Sequence, residues 1–120
     1  MVTFTIPGRP VPKQRPRTGR NGRIYTPKKS RSYEETVGWA GKQVFKNPYD
    51  GPVKLQVNVY LSAPGGDLDN YVKSIQDGLN GIAWRDDRQV TRLKAGLFVR
   101  PGVRERAEVV IQELRNETPR

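Results

Sequence analysis

Val53-Lys54-Leu55-Gln56-Val57-Asn58-Val59-Tyr60-Leu61 alternates apolar and polar side chains over nine positions, the period-two pattern of a strand with one face against a core. Turn chemistry in residues 47–52 precedes it, and a loop at residues 63–66 follows. Beyond Asp67, Leu68, Tyr71 or Val72, Ile75 and Leu79 recur at helical spacing and predict an amphipathic helix that ends at Gly81. Upstream, Tyr33, Val37, Ala40 and Val44 form a second helical stripe, and Ser32 with Glu35 three residues later resembles a capping box, so a helix is expected over residues 30–46.

Farther out, residues 2–6 alternate apolar and hydroxyl side chains and read as a short strand. Residues 7–29 are a basic loop rich in Pro and Gly, unusual in length unless it has a function. After a charged turn at residues 84–88, residues 89–99 and 105–113 read as two strands joined at Pro101-Gly102 in an antiparallel hairpin. The tail, residues 114–120, is expected to fray. The order β-α-β-α-β-β predicts an α/β fold in two layers, a mixed β-sheet with helices on one face. A chain of 120 residues suits one domain, without internal repeats or heptads.

Cysteine and histidine are both absent, which excludes disulfides, thiolate or imidazole zinc sites, cysteine nucleophiles and any Ser-His-Asp relay. Carboxylates, lysines, hydroxyls and hard cations remain for catalysis. Lys and Arg total 22 against 12 Asp and Glu, and a net charge of +10 points to a polyanionic partner, nucleic acid being the commonest, although charge alone would also serve a membrane surface or solubility. No apolar run approaches the ~20 residues that span a bilayer, and the first ten residues lack the regions of a signal peptide, so a cytoplasmic location without membrane contact is expected.

The charge is unevenly placed. Residues 1–33 carry Arg9, Lys13, Arg15, Arg17, Arg20, Arg23, Lys28, Lys29 and Arg31 and no acid, whereas five of the twelve acids fall between Asp67 and Asp87. A basic arm that grips phosphates beside an acidic centre that binds a cation is one reading, and a solvated tail is the other.

Asp67 and Asp69 stand two residues apart, and on extended backbone both would point the same way about 6 to 7 Å apart, a spacing a cation bridges. As a lone feature the pair serves equally as a helix cap. Lys73, four residues after Asp69, shares its helical face, so it either faces whatever the carboxylates hold or extends into solvent. Asp77 continues that face but follows Lys73 in the weaker order for an ion pair and sits toward the negative end of the helix dipole, which makes it a candidate supporting residue. Asp86 and Asp87 precede a strand. On extended backbone only one of them points inward, and a polar turn explains the pair as well.

At these residues the sequence resembles the RusA family of Holliday junction resolvases: Asp67-Leu68-Asp69-Asn70, then Lys73, then Asp77-Gly78-Leu79-Asn80-Gly81, then Trp84-Arg85-Asp86-Asp87-Arg88-Gln89-Val90. Residues 12–17 and 26–34 are similar to the amino-terminal part of phage and prophage members. Gly65-Gly66 stands where relatives often carry Lys, Arg or Pro.

The resemblance implies a homodimeric endodeoxyribonuclease that resolves four-way DNA junctions by paired symmetric nicks in recombination and repair. It implies an acidic triad on Asp67, Asp69 and Asp87 holding Mg²⁺, with Mn²⁺ as a substitute, and an essential lysine on Lys73. Asn70, Asp77 and Asp86 would support them, and Lys13, Arg15, Arg17, Arg20, Arg23, Lys28, Lys29 and Arg31 would contact branched DNA. No small-molecule cofactor is expected. Two rivals stay open: a noncatalytic basic DNA-binding accessory protein whose acids are caps and turns, and a flap or fork nuclease with the same site.

Overall fold

The computed structural model describes residues 1–25 and 27–114, apart from the Arg17 side chain; the part of the expected frayed tail from residue 115 onward lies outside the described residues. The elements run β1 (Val2–Pro7), β2 (Arg17–Thr18), β3 (Ile24–Tyr25), α1 (Lys28–Lys42), β4 (Val53–Leu61), α2 (Leu68–Leu79), a 3₁₀ turn (Asp87–Gln89), β5 (Val90–Val99) and β6 (Arg106–Glu113). The main sheet has four strands in the order β1-β6-β4-β5 and is mixed: β1 with β6 and β6 with β4 are antiparallel, while β4 with β5 is parallel.

The alternation in β4 does what it predicts. Val53, Leu55, Val57, Val59 and Leu61 are fully buried, whereas Lys54, Gln56, Asn58 and Tyr60 on the other face are only partly covered. The buried five join Tyr33, Val37 and Ala40 of α1 and Val72, Ile75 and Leu79 of α2 in one core, so both helices cover the same face of the sheet. Each such aliphatic side chain contributes roughly 1.5–3 kcal/mol by leaving water. No helix among the described residues is long and apolar enough to cross a membrane.

The expected hairpin of the last two strands does not form, because β4 lies between them. α2 carries the chain back along the sheet, so β5 re-enters parallel to β4 on one side, and β6 takes the other. Side chains explain the assignment: β6 buries Ala107, Val109 and Ile111 and suits an interior position, while β5 exposes Arg92, Leu93 and Lys94 and suits an edge. Residues 100–105 need only step over one strand, about 10 Å.

α1 begins earlier and ends sooner than the periodicity predicts. Its N-cap is Pro27, with no side-chain cap, so the Ser32–Glu35 box is not used, and Val44 falls beyond the helix with its side chain exposed. Pro27 ahead of the first helical turn has no N–H to satisfy, which makes it a natural starting point. The loop over residues 7–29 is also not wholly irregular, since β2 and β3 pair as a small antiparallel ribbon.

α1 and α2 cross closely. A Cβ on Gly78 would lie 2.7 Å from the Val37 Cβ and 2.8 Å from the Glu34 carbonyl, and a Cβ on Gly41 would lie 2.7 Å from Leu79 Cδ2. The missing side chains let the helices touch backbone to side chain.

Candidate active site

The loop after β4 reaches α2 through Gly66, whose φ of +71° turns the chain under Pro12 and Tyr71; a Cβ there would lie 3.0 Å from both. Tyr71 Oη donates a short hydrogen bond to the Gly65 carbonyl and ties the turn down. Gly66 thus has a local reason: it adopts a left-handed conformation in a space closed to side chains.

Asp67 is the N-cap residue of α2, with extended backbone, yet its carboxylate makes no cap hydrogen bond and is exposed. Asp69 lies in the first turn, its Oδ1 accepting from the Asn70 N–H at 3.0 Å. The extended Asp-x-Asp geometry therefore holds only at Asp67, because the helix starts at Leu68. Both carboxylates nonetheless belong to the helix N-terminus, where the unpaired N–H groups favour negative charge. Beside them a cleft of about 270 Å³ is lined by Arg9, Pro12, Lys29, Gly65, Gly66 and Tyr71.

One turn farther on, Lys73 Nζ lies 2.9 Å from Asp77 Oδ1 and remains half exposed. The other Asp77 oxygen is 3.0 Å from Lys13 Nζ, which is 2.9 Å from Glu34 on α1. Burial works to raise the Asp77 pKa, but the hydrogen bonds and charges of Lys73 and Lys13 outweigh it and hold the carboxyl below the ordinary range. For Lys13, burial pulls downward and the two carboxylates more than reverse it, leaving the ammonium raised. Lys13 is thus an internal cation of the α1–α2 contact, unlike the outward-facing phosphate contact its sequence neighbours suggested. Its main chain is fixed too: Lys13 N–H donates to the Asn70 carbonyl at 2.9 Å, and Ser74 Oγ donates to the Val11 carbonyl at 2.7 Å.

Asp86 and Asp87 divide their work. Asp86 caps the 3₁₀ turn, accepting from the Arg88 N–H at 2.8 Å, while Gln89 Oε1 accepts from the Asp86 N–H at 3.0 Å. Asp87 is the inward one: its Oδ1 accepts from Nε1 of the fully buried Trp84 at 2.9 Å. Trp84 is a functional candidate that pattern reading passed over, although its place three residues before Asp87 was the available signal.

The parallel crossover separates the triad. Val53 at the start of β4 is level with Val90 at the start of β5, so Asp87, three residues before Val90, lies at the end of the sheet where β4 begins. Asp67 and Asp69 follow the other end of β4, and α2, a run of about 17 Å, lies between the two places. Among the described residues no three acidic side chains gather as a ready-made metal nest. A single chain therefore groups Asp67 and Asp69 with Asn70 at the start of α2, pairs Lys73 with Asp77 farther along the same helix, and leaves Asp86 and Asp87 beside the start of β5, contrary to the expected convergence.

In the arm, Arg15, Arg20, Arg23, Lys28, Lys29 and Arg31 are exposed, and no carboxylate pairs with any of them among the described residues. The Arg17 side chain lies outside the described residues. Arg9, by contrast, forms an ion pair with Glu105, which also accepts from the Ser62 N–H at 3.0 Å.

A family model described as endodeoxyribonuclease RusA matches residues 7–112. A Bacillus subtilis (strain 168) protein named uncharacterized protein YqaN is 32% identical over 139 residues, covering 94% of this chain and 96% of its own length.

Proposed function

The chain belongs to the RusA endodeoxyribonuclease family, and on that premise we propose that it is a Mg²⁺-dependent homodimeric nuclease that resolves four-way DNA junctions by paired nicks. The observation that carries the reading is Asp67: it occupies a cap position, yet its carboxylate does not cap and faces solvent. A structural aspartate there would be bonded to the helix N–H groups. Beside a basic cleft, an uncommitted carboxylate is free to hold a cation.

The donor chemistry fits Mg²⁺, a hard ion that takes oxygen ligands and is usually held by one or two carboxylates together with water and substrate phosphate. Asp67 and Asp69 would hold it, with Asp87 as a third donor. Bound there, Mg²⁺ supplies Lewis acidity toward the scissile phosphate and lowers the pKa of a water. Because one chain keeps Asp87 about one helix length from the other two, the homodimer reading gains a specific content: Asp87 of one protomer completes the site of its partner. Two such sites follow from one two-fold axis, which is what a pair of symmetric nicks requires.

Lys73 lies on the same α2 face as Asp69, and its ammonium offsets the negative charge that builds on the phosphate and the leaving oxygen. Asp77 holds that ammonium in place, and Lys13 prevents Asp77 from neutralising it fully. The cations between Arg15 and Arg31 supply phosphate affinity without sequence preference.

The test is incubation of the purified protein with a synthetic four-way junction, a flap and a linear duplex, each with and without Mg²⁺. Symmetric nicks in the junction alone, lost in Asp67→Asn while junction binding persists, support the reading. Binding without cutting in any substrate would make the protein an accessory factor, and preferential cutting of the flap would change the substrate.

A further inference from the structure

β2 and β3 make a finger whose construction is more definite than a loop. The Gly19 N–H donates to the Arg23 carbonyl at 2.8 Å, the Gly22 N–H to the Gly19 carbonyl at 3.0 Å, and the Arg23 N–H to Asn21 Oδ1 at 3.2 Å. The root is tied to α1 by a hydrogen bond from the Gln14 N–H to Ser30 Oγ at 3.0 Å. The ring of Tyr25 lies over the turn, 3.7 Å from where a Gly19 Cβ would stand.

This finger carries Ile24 75% exposed and Tyr25 48% exposed, on opposite faces of the ribbon. Around them are the exposed cations Arg15, Arg20, Arg23 and Lys28, none of which pairs with a carboxylate among the described residues, and residues 1–33 contain no acid. Two adjacent apolar side chains held out on a purely cationic stem call for a partner that is anionic overall yet offers apolar surface. DNA meets both conditions, with phosphates outside and base faces within. Intact duplex hides those faces in its stack. They become accessible where stacking is interrupted, as at a branch point.

We infer that the β2–β3 finger is a branch-reading wedge: Ile24 inserts against the base pairs at the crossover, Tyr25 on the other face lies over the turn that presents it, and the surrounding arginines and lysines hold the flanking phosphates. The inference rests on the DNA-nuclease reading and assigns branch selectivity to an element separate from the acidic residues. Affinity for any DNA then comes from the cations, and preference for a branch comes from the apolar tip.

The experiment uses the full-length protein in chelator, so that binding is measured without cleavage. A four-way junction with 2-aminopurine at the crossover is compared with a linear duplex of the same sequence, for wild type, Ile24→Ser and Ile24→Leu. Wild type should prefer the junction and raise the 2-aminopurine fluorescence as the base unstacks. Ile24→Ser should weaken junction binding about tenfold, the scale of one lost base contact, abolish the fluorescence rise and leave duplex binding unchanged, while Ile24→Leu should behave as wild type. Equal loss on junction and duplex, no loss on either, or a wild type indifferent to the branch would overturn the inference. A wild type that discriminates through Ile24 but cuts nothing when Mg²⁺ is added would sink the nuclease reading and leave the wedge standing.

Discussion

The indole Nε1 of Trp84 donates to Oδ1 of Asp87 at 2.9 Å, joining a fully buried side chain to one of the three acids proposed to serve catalysis. Indole N–H has no acceptor capacity, so this bond also requires an Asp87 oxygen that accepts.

Trp84→Phe removes the donor and keeps most of the ring. It should lower kcat for junction cleavage about tenfold, the scale of a lost hydrogen bond to a charged group, with junction binding in chelator unchanged. Single-turnover cleavage beside a binding titration checks this, and equal kcat in both proteins would remove Trp84 from the mechanism.

Gly78→Ala places a methyl group 2.7 Å from the Val37 Cβ at the helix crossing. The helices must separate, at a cost of about 1–3 kcal/mol as for other overpacked sites. Urea unfolding gives the value directly, and an unchanged midpoint would mean the crossing has slack.

Asp77 links pH to stability. Its folded pKa is depressed, so its contribution is present above the ordinary carboxylate pKa and is lost as pH falls through the lowered folded value. Wild type should therefore lose stability below about pH 4 more steeply than Asp77→Asn, since the unfolded carboxyl titrates near there. Urea midpoints between pH 2 and 7 measure it, and parallel curves for the two proteins would contradict it.

Arg20→Gln with Arg23→Gln removes two exposed cations of the finger. If both contact phosphates, the slope of log Kd against log salt should fall by about 1.8, roughly 0.9 per lost contact. An unchanged slope would place DNA elsewhere on the surface.

Periodicity made β4 and α2 legible, because a core on one side imposes a period that neighbours cannot disguise. Strand pairing was not legible in the same way: β5 and β6 read as adjacent because they are consecutive, and only the crossover through α2, with a more apolar β6, puts β4 between them. Asp67, Asp69 and Lys73 could be grouped from spacing, since one helix holds them. The partnership of Lys13 with Asp77 could not, being a contact between residues 64 positions apart along the chain. Nor could spacing tell Asp86, which caps a turn, from Asp87, which meets Trp84. Chain proximity also suggested that Asp87 joins the other acids, whereas parallel strands put a residue that precedes β5 at the opposite end from one that follows β4.

The most direct test of a site shared between protomers mixes Asp67→Asn and Asp87→Asn subunits after reversible dissociation. Each variant alone should be inactive on a four-way junction with Mg²⁺. The mixture should regain nicking at about a quarter of wild-type sites, because random pairing makes half the dimers mixed and each mixed dimer keeps one intact site, and its products should carry single rather than paired nicks. A mixture as inactive as its components would contradict the shared site.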